Sequence, residues 1–335
     1  MKIKQSIDLE SLVNYLSGKT CLENVDLWHS RMRALSKAIS FVENDPMLAP
    51  KLLSHPGIRT DDNVTKTRVI GITGLPGAGK STLTNLFIKE LREQGKTVAV
   101  FAVDPSSTLS GGAILGDRIR MQDHFRDPMV YIRSMGSRGA LGGVARATRS
   151  AIRLATVLDF DYILVETVGI GQSESEITNI ADSTILVLMP NSGDEIQLMK
   201  AGILQLATIY VINKCDLADP SRMIQEIKEN THPTQEEAWV PPVLKTSASA
   251  REGISEVIQS VFLHHEYENK NSVGKELRYL RLRKEVLQNV IMMAELKFKE
   301  DVEKISQNEI DSLFRGMTTA MSIANGIFEK NIKNN

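Results

Sequence analysis

Gly74-Leu75-Pro76-Gly77-Ala78-Gly79-Lys80-Ser81 sets three glycines ahead of a lysine and a hydroxyl residue. It fits the pattern G-x-x-x-x-G-K-[ST]. An apolar run, Arg68-Val69-Ile70-Gly71-Ile72-Thr73, precedes it, and an amphipathic stretch ending near Gly95 follows. Strand, glycine-rich loop and helix in that order are the context this pattern requires. Glycines let backbone N–H groups wrap phosphate oxygens, and the start of a helix adds partial positive charge. On this reading Gly74, Gly77, Ala78, Gly79, Lys80, Ser81 and Thr82 cradle a nucleotide. Lys80 reaches the β- and γ-phosphates, and the Ser81 hydroxyl ligates magnesium. The competing reading, a glycine-rich turn with a chance lysine, does not account for the strand and helix on either side.

Outward from this loop the chain alternates short β-rich runs with helical segments. The runs at 97–103, 162–165, 184–189 and 208–212 lack polar alternation, as strands buried on both faces of a parallel sheet do. The expected fold is a doubly wound, mainly parallel α/β sheet, with ligands at the carboxyl ends of its strands. Residues from about 7 to 52 recur at helical spacing. A polar stretch at 55–66, with Pro56-Gly57 as a turn signal, separates them from the core. Beyond about residue 270, segments 277–298 and 302–332 read as two amphipathic helices. The expected organisation is an N-terminal helical extension (1–60), a phosphate-loop core (61–268) and a C-terminal helical arm (269–335). The helical ends either cap the core or form a subunit interface, and the second possibility makes the arm a dimerisation element.

Asn213-Lys214-Cys215-Asp216 ends the run at 209–212. A carboxylate at Asp216 can accept two hydrogen bonds from the imino and amino donors on the Watson–Crick edge of guanine. Adenine lacks that donor pair and would leave the carboxylate unmatched. Asn213 would tie this loop to the phosphate loop, and the stem of Lys214 would cover the base plane. About 30 residues on, Thr246-Ser247-Ala248 follows the run Val243-Leu244, and its backbone amides could meet the guanine carbonyl oxygen. N-K-x-D alone is a short pattern that often marks an exposed turn. Here its order after the phosphate loop makes guanine the expected base.

Three acids stand near strand ends. Asp104 closes Phe101-Ala102-Val103-Asp104, Asp117 lies in the glycine-rich run 111–118, and Glu166 begins Glu166-Thr167-Val168-Gly169. Acids clustered at a triphosphate need a cation, so Mg2+ is expected. Glu166 takes the position facing metal and γ-phosphate, with the Gly169 amide able to sense that phosphate. From spacing alone, Asp104 and Asp117 could equally be turn or cap residues. The glycine-rich run 136–143 and the loop at 191–200 are candidate mobile segments, or plain connectors.

Of the 335 residues, 40 are Lys or Arg and 41 are Asp or Glu, so no excess charge points to nucleic acid or to a membrane surface. No run of about 20 apolar residues would span a bilayer. The N-terminus turns acidic at Asp8 before an apolar signal could form. Cys21 and Cys215, without metal-like spacing, suggest reduced thiols and a cytoplasmic location. His264-His265 reads as a solvated pair, because adjacent helical side chains diverge by about 100°. Met292, Met293, Met317, Met321, Trp28 and Trp239 read as packing residues.

Taken together, the phosphate loop, the runs 102–107, 114–117, 141–146 and 163–174, Gly193-Asp194-Glu195 and Asn213-Lys214-Cys215-Asp216 closely resemble the MeaB-type GTPases. The run Glu166-Thr167-Val168-Gly169-Ile170-Gly171-Gln172-Ser173-Glu174 is the most specific piece. The likeness is dense over roughly residues 60–260. It implies a homodimer of SIMIBI-class architecture that binds GTP and hydrolyses it slowly to GDP and phosphate. Such a protein gates cobalamin loading of an adenosylcobalamin-dependent mutase, methylmalonyl-CoA mutase or a relative, and protects or reactivates it. The resemblance further makes Lys80, Glu166 and Asp104 the catalytic group, Ser81, Asp104, Asp117 and Glu166 the metal-proximal set, and 191–200 a partner-facing switch. Departures at Ser137-Arg138-Gly139-Ala140 and Asn191-Ser192 fall in partner-sensing loops. Two alternatives stand beside this reading. A GTPase for nickel insertion would need a His or Cys cluster that the sequence does not display. An ATP-dependent kinase linked to amino-acid transport is opposed by Asp216.

Overall fold

The apolar runs become strands because each is buried on both faces, where a β-branched side chain packs well and a polar one is costly. In the computed structural model β1 (Arg68–Gly74), β2 (Val98–Asp104), β3 (Val130–Gly136), β4 (Tyr162–Thr167), β5 (Ser183–Leu188), β6 (Ile209–Ile212) and β7 (Val243–Lys245) form one sheet in the order β3-β2-β4-β1-β5-β6-β7. Every pairing is parallel. The structure describes residues 9–17, 24–45, 48–56, 58, 67–104, 121–136, 143–167, 177–190, 204, 207–231 and 238–333.

Helices cover both faces. On one side lie α4 (Lys80–Glu93), α6 (Ser221–Asn230) and α7 (Ile254–Lys270). Leu83, Phe87, Ile88 and Leu91 of α4 are fully buried there, together with Val257 and Val261 of α7. On the other side lie α1 (Leu9–Leu16), α2 (Asn24–Asn44) and α5 (Gly143–Thr156), with the short α3 (Leu48–Leu53) alongside. Leu16, Leu35, Ala38 and Ile39 are fully buried in the same cluster as Phe101, Tyr131, Phe160 and Ile163 of the sheet side. The N-terminal helices therefore complete the core instead of hanging from it. The chain divides into two compact units, 1–276 and 277–335. Among the described residues no helix is long and apolar enough to cross a membrane.

Strand β3 is absent from the sequence reading. Arg133 and Ser134 interrupt its apolar run, as an edge strand permits. Its guanidinium donates to Glu43 Oε2 at 2.5 Å, to the Ser36 carbonyl at 3.1 Å and to Ser40 Oγ at 3.0 Å, so α2 supplies the partners that let a cation sit at the sheet edge.

Two further expectations are corrected. The stretch read as one helix at 302–332 is three segments: α8 (Ser272–Glu303) ends, α9 (Gln307–Phe314) follows, and α10 (Ala320–Lys333) completes the chain. Ser306 and Glu309 form a capping box at the start of α9, and Gly316 takes φ 71° just past its end, a start and a stop signal inside one periodic pattern. The solvated histidine pair is the other. His264 is 3% exposed, shares a 2.8 Å hydrogen bond with Ser183 Oγ and meets the Trp239 ring edge-on at 4.9 Å. His265, one residue on and pointing elsewhere, pairs with Asn269.

Candidate functional site

The loop between β1 and α4 lies at the carboxyl end of the central strand, where an open parallel sheet leaves its ligand crevice. Two of its glycines are required by close approach. Gly74 has φ 140°, and a Cβ there would lie 2.0 Å from the Val187 carbonyl oxygen of β5. Gly79 has φ 93°, and its Cβ would strike Asn213 Nδ2 at 2.3 Å. The second contact involves the base-side loop, so the last glycine of the motif also makes room for Asn213. Gly79 is the N-cap of α4, and no side chain caps it. The leading amides of that helix thus face the crevice, as an anion site needs.

Lys80 is buried, and its ammonium donates to the carbonyls of Gly74 at 2.8 Å and Leu75 at 2.9 Å. The cation is held at the centre of the loop by the loop's own backbone. Ser81, one residue on, donates its hydroxyl to Glu166 Oε1 at 2.5 Å. Glu166 is 1% exposed and sits on β4 in register with Ile72 of β1 and Ala102 of β2. Two hard oxygen donors, a hydroxyl and a carboxylate, therefore meet in a buried place beside the phosphate loop. That donor chemistry fits Mg2+, which takes one or two protein oxygens and completes its shell with phosphate and water. No group of three or more His, Cys, Asp or Glu that could hold a metal occurs among the described residues. Thr82 is exposed. Asp104 ends β2 opposite Gly136. Asp117, Gly169 and the segments 137–142 and 191–200 lie outside the described residues.

The base-side loop leaves β6 at Asn213, whose amide continues the ladder to the Leu188 carbonyl at 2.8 Å. Asn213 is 1% exposed and joins three segments. Its Nδ2 donates to the Ala78 carbonyl at 2.8 Å, and its Oδ1 accepts from Thr246 Oγ1 and from the Ala248 amide, both at 3.1 Å. Lys214 takes φ 61°, a left-handed turn that carries the chain on to an exposed Asp216. Asp216 is held by two hydroxyls: Ser247 Oγ donates to Oδ1 at 2.7 Å and Ser249 Oγ to Oδ2 at 2.9 Å. Those hydrogen bonds, Ser247 first, keep its carboxyl below the ordinary carboxylate range.

The amides of Thr246, Ser247 and Ala248, which could meet a base carbonyl oxygen, all donate within the chain. Thr246 reaches the Ile212 carbonyl at 2.8 Å, Ser247 the Glu252 carbonyl at 3.2 Å, and Ala248 Asn213 Oδ1. The first two extend the β6–β7 ladder and close an antiparallel bridge, so backbone pairing claims them. Ser249 is a functional candidate that the sequence reading missed. A second hydroxyl two residues after Ser247 was the available signal.

A phosphate loop and an N-K-x-D loop, tied together at one end of a parallel sheet with helices on both faces, define a P-loop GTPase. Residues 35–304 match the family described as methylmalonyl Co-A mutase-associated GTPase MeaB, and the chain belongs to that family. A Pyrococcus abyssi protein named as a GTPase is 40% identical over 292 residues, which are 83% of this chain and 89% of that one. The mouse methylmalonic aciduria type A homolog, a mitochondrial protein, is 45% identical over 193 residues, 56% of this chain and 46% of its own. A crystal structure titled LAO/AO transport system kinase superposes with a TM-score of 0.62 at 24% identity, covering 96% of each chain, a likeness of fold. The chain is accordingly a GTPase that binds guanine nucleotide.

Proposed function

We propose that the chain is a GTP-driven chaperone of an adenosylcobalamin-dependent mutase, methylmalonyl-CoA mutase or a relative. It binds GTP with Mg2+, hydrolyses it slowly alone and faster with its client, and uses hydrolysis to gate cobalamin loading and to protect or reactivate the mutase. The observation that carries the nucleotide half is the Asn213 amide bridging the two loops. Any movement that a γ-phosphate imposes on one loop is felt by the other. Family membership supports the mutase half.

In this reading Gly74, Gly77, Ala78, Gly79 and Thr82 line the phosphates, and Lys80 leaves the Gly74 and Leu75 carbonyls to neutralise the β- and γ-oxygens. Ser81 and Glu166 hold Mg2+, with Asp104 and Asp117 as further acids near it. The ion supplies charge neutralisation of the triphosphate. Asp216 accepts the two N–H donors of guanine, the Lys214 stem covers the base, and Ser247 and Ala248 shape its surroundings. The low carboxyl of Asp216 suits that task, since only the ionised form accepts from both donors.

We further assign the C-terminal arm to a homodimer. Val286, Leu287, Val290 and Ile291 of α8 are each more than half exposed and repeat at four-residue spacing, a contiguous apolar face of the kind that marks an interaction site. A cytosolic setting accords with the two isolated cysteines. The experiment that tests the client is GTP turnover of the purified protein with and without methylmalonyl-CoA mutase from the same source. We expect stimulation together with a stable complex in a non-hydrolysable GTP analogue. Unchanged turnover and no complex would refute the mutase role.

A further inference from the structure

A carboxylate that must meet two N–H donors side by side has to present both oxygens at once, yet it turns about its Cβ–Cγ bond. One donor on one oxygen pins only half of it. In this chain Ser247, 3% exposed, supplies that first donor. It is itself fixed by its backbone bridge with Glu252, and its Oγ accepts the Ala250 amide at 3.3 Å. The second oxygen, Oδ2, is held by Ser249, an exposed residue, at 2.9 Å. The two hydroxyl oxygens lie 3.0 Å apart. Each hydroxyl has one proton, so with both protons donated to Asp216 the contact between them carries no hydrogen bond, and the pair acts as a clasp across the carboxylate. A carboxylate has about four lone-pair positions. Two are taken by the clasp and two remain for a base.

We propose that Ser249 is a specificity-determining positioning residue: its hydroxyl fixes the second oxygen of Asp216 so that the carboxylate meets both the imino and the amino donor of guanine. The proposal rests on the assignment of Asp216 to the base made above, and it concerns the second of the two hydrogen bonds. Without Ser249 the carboxylate can still take the imino proton on one oxygen while the other swings away. Oδ2 is assigned here to the 2-amino group, so the loss falls on that donor. Inosine diphosphate, which keeps the imino proton and lacks that amino group, separates the two effects.

The test is titration calorimetry of the full chain and its Ser249→Ala and Ser249→Thr variants with GDP, IDP and ADP in excess Mg2+. Ser249→Ala should raise the Kd for GDP about 3- to 10-fold, the loss of one exposed charge-assisted hydrogen bond. The Kd for IDP should move less than about twofold, so that the preference for GDP over IDP shrinks by the same factor. Ser249→Thr, which keeps the hydroxyl, should restore the preference. The proposal is overturned if Ser249→Ala leaves the GDP-to-IDP ratio unchanged, whether by weakening both nucleotides equally or neither. Tighter GDP binding also overturns it, for the hydroxyl would then be a competitor of the base. If the wild-type chain itself held GDP and ADP alike, the assignment of Asp216 would fall, and this inference with it. If the wild type discriminates and only the ratio fails to move, Ser249 alone is misassigned.

Discussion

Asn213 and Ala78 stand 135 residues apart and are joined by a 2.8 Å hydrogen bond from Nδ2 to the backbone carbonyl. That bond passes through space left open by Gly79, and the far side of the same amide holds Thr246 and Ala248. Phosphate loop, base loop and the loop after β7 thus share one buried side chain. A residue that a sequence pattern presents as part of a base-recognition signature acts as the hub of all three segments.

Ser81 and Glu166 make the first prediction. If their 2.5 Å contact marks the cation position, Ser81→Ala should cut the gain in nucleotide affinity that Mg2+ confers by at least about 10-fold. Affinity measured in EDTA should stay near the wild-type value. Fluorescent-nucleotide titrations with and without Mg2+ read this directly. An undiminished Mg2+ effect in the variant would remove Ser81 from the metal site.

Arg133 makes the second, which concerns stability. Its guanidinium has three partners on α2, and Glu43 beside it is 10% exposed. Arg133→Ala removes the cation beside that carboxylate and should destabilise the larger unit by about 2–3 kcal/mol, somewhat below the range for fully buried pairs. Urea denaturation followed by tryptophan fluorescence measures it, because Trp28 packs in the same layer against Phe160. A midpoint within error of wild type would show that α2 does not depend on this contact.

The third prediction concerns pH. Hydrogen bonds from Ser247 and then Ser249 lower the Asp216 carboxyl. A depressed value means that the ionised form, and what depends on it, is complete above the ordinary carboxylate value and is lost only as pH falls through the lowered one. Guanine preference should therefore be flat from about pH 7.5 to about pH 5, both above the ordinary value of about 3.9. Comparing GDP with ADP binding at the two pH values checks this. A preference already declining at pH 5 would mean that the clasp does not hold the charge.

The C-terminal face gives the fourth. Replacing both Leu287 and Ile291 with Glu puts charge in the middle of the exposed apolar repeat on α8. Light scattering after size exclusion should then report half the wild-type mass, with nucleotide affinity retained. An unchanged mass would place the dimer contact elsewhere or deny it.

Much of this was legible in the sequence because burial on two faces writes itself as an unbroken apolar run. The strands β1, β2, β4, β5 and β6 read that way, and the phosphate and base motifs sit at the ends of β1 and β6. β3 did not, since the partners that make Arg133 tolerable come from α2, about 90 residues earlier. His264 was misread for a similar reason: helical geometry separates it from His265, but only the fold brings Ser183 and Trp239 to it. In the base loop, spacing singles out Asp216 as a candidate, whereas the use of the Thr246–Ala248 amides and the hydroxyl of Ser249 depend on the fold around them, which no local pattern announces.

The central claim is that one chain grips a triphosphate through Lys80 and selects guanine through Asp216. Titration calorimetry of GTP and ATP against the wild-type chain and Lys80→Ala, in Mg2+, tests it most directly. GTP should bind the wild type at least about 100-fold more tightly than ATP, and Lys80→Ala should lose most of that binding. GTP and ATP held equally well, or Lys80→Ala binding GTP like the wild type, would contradict it.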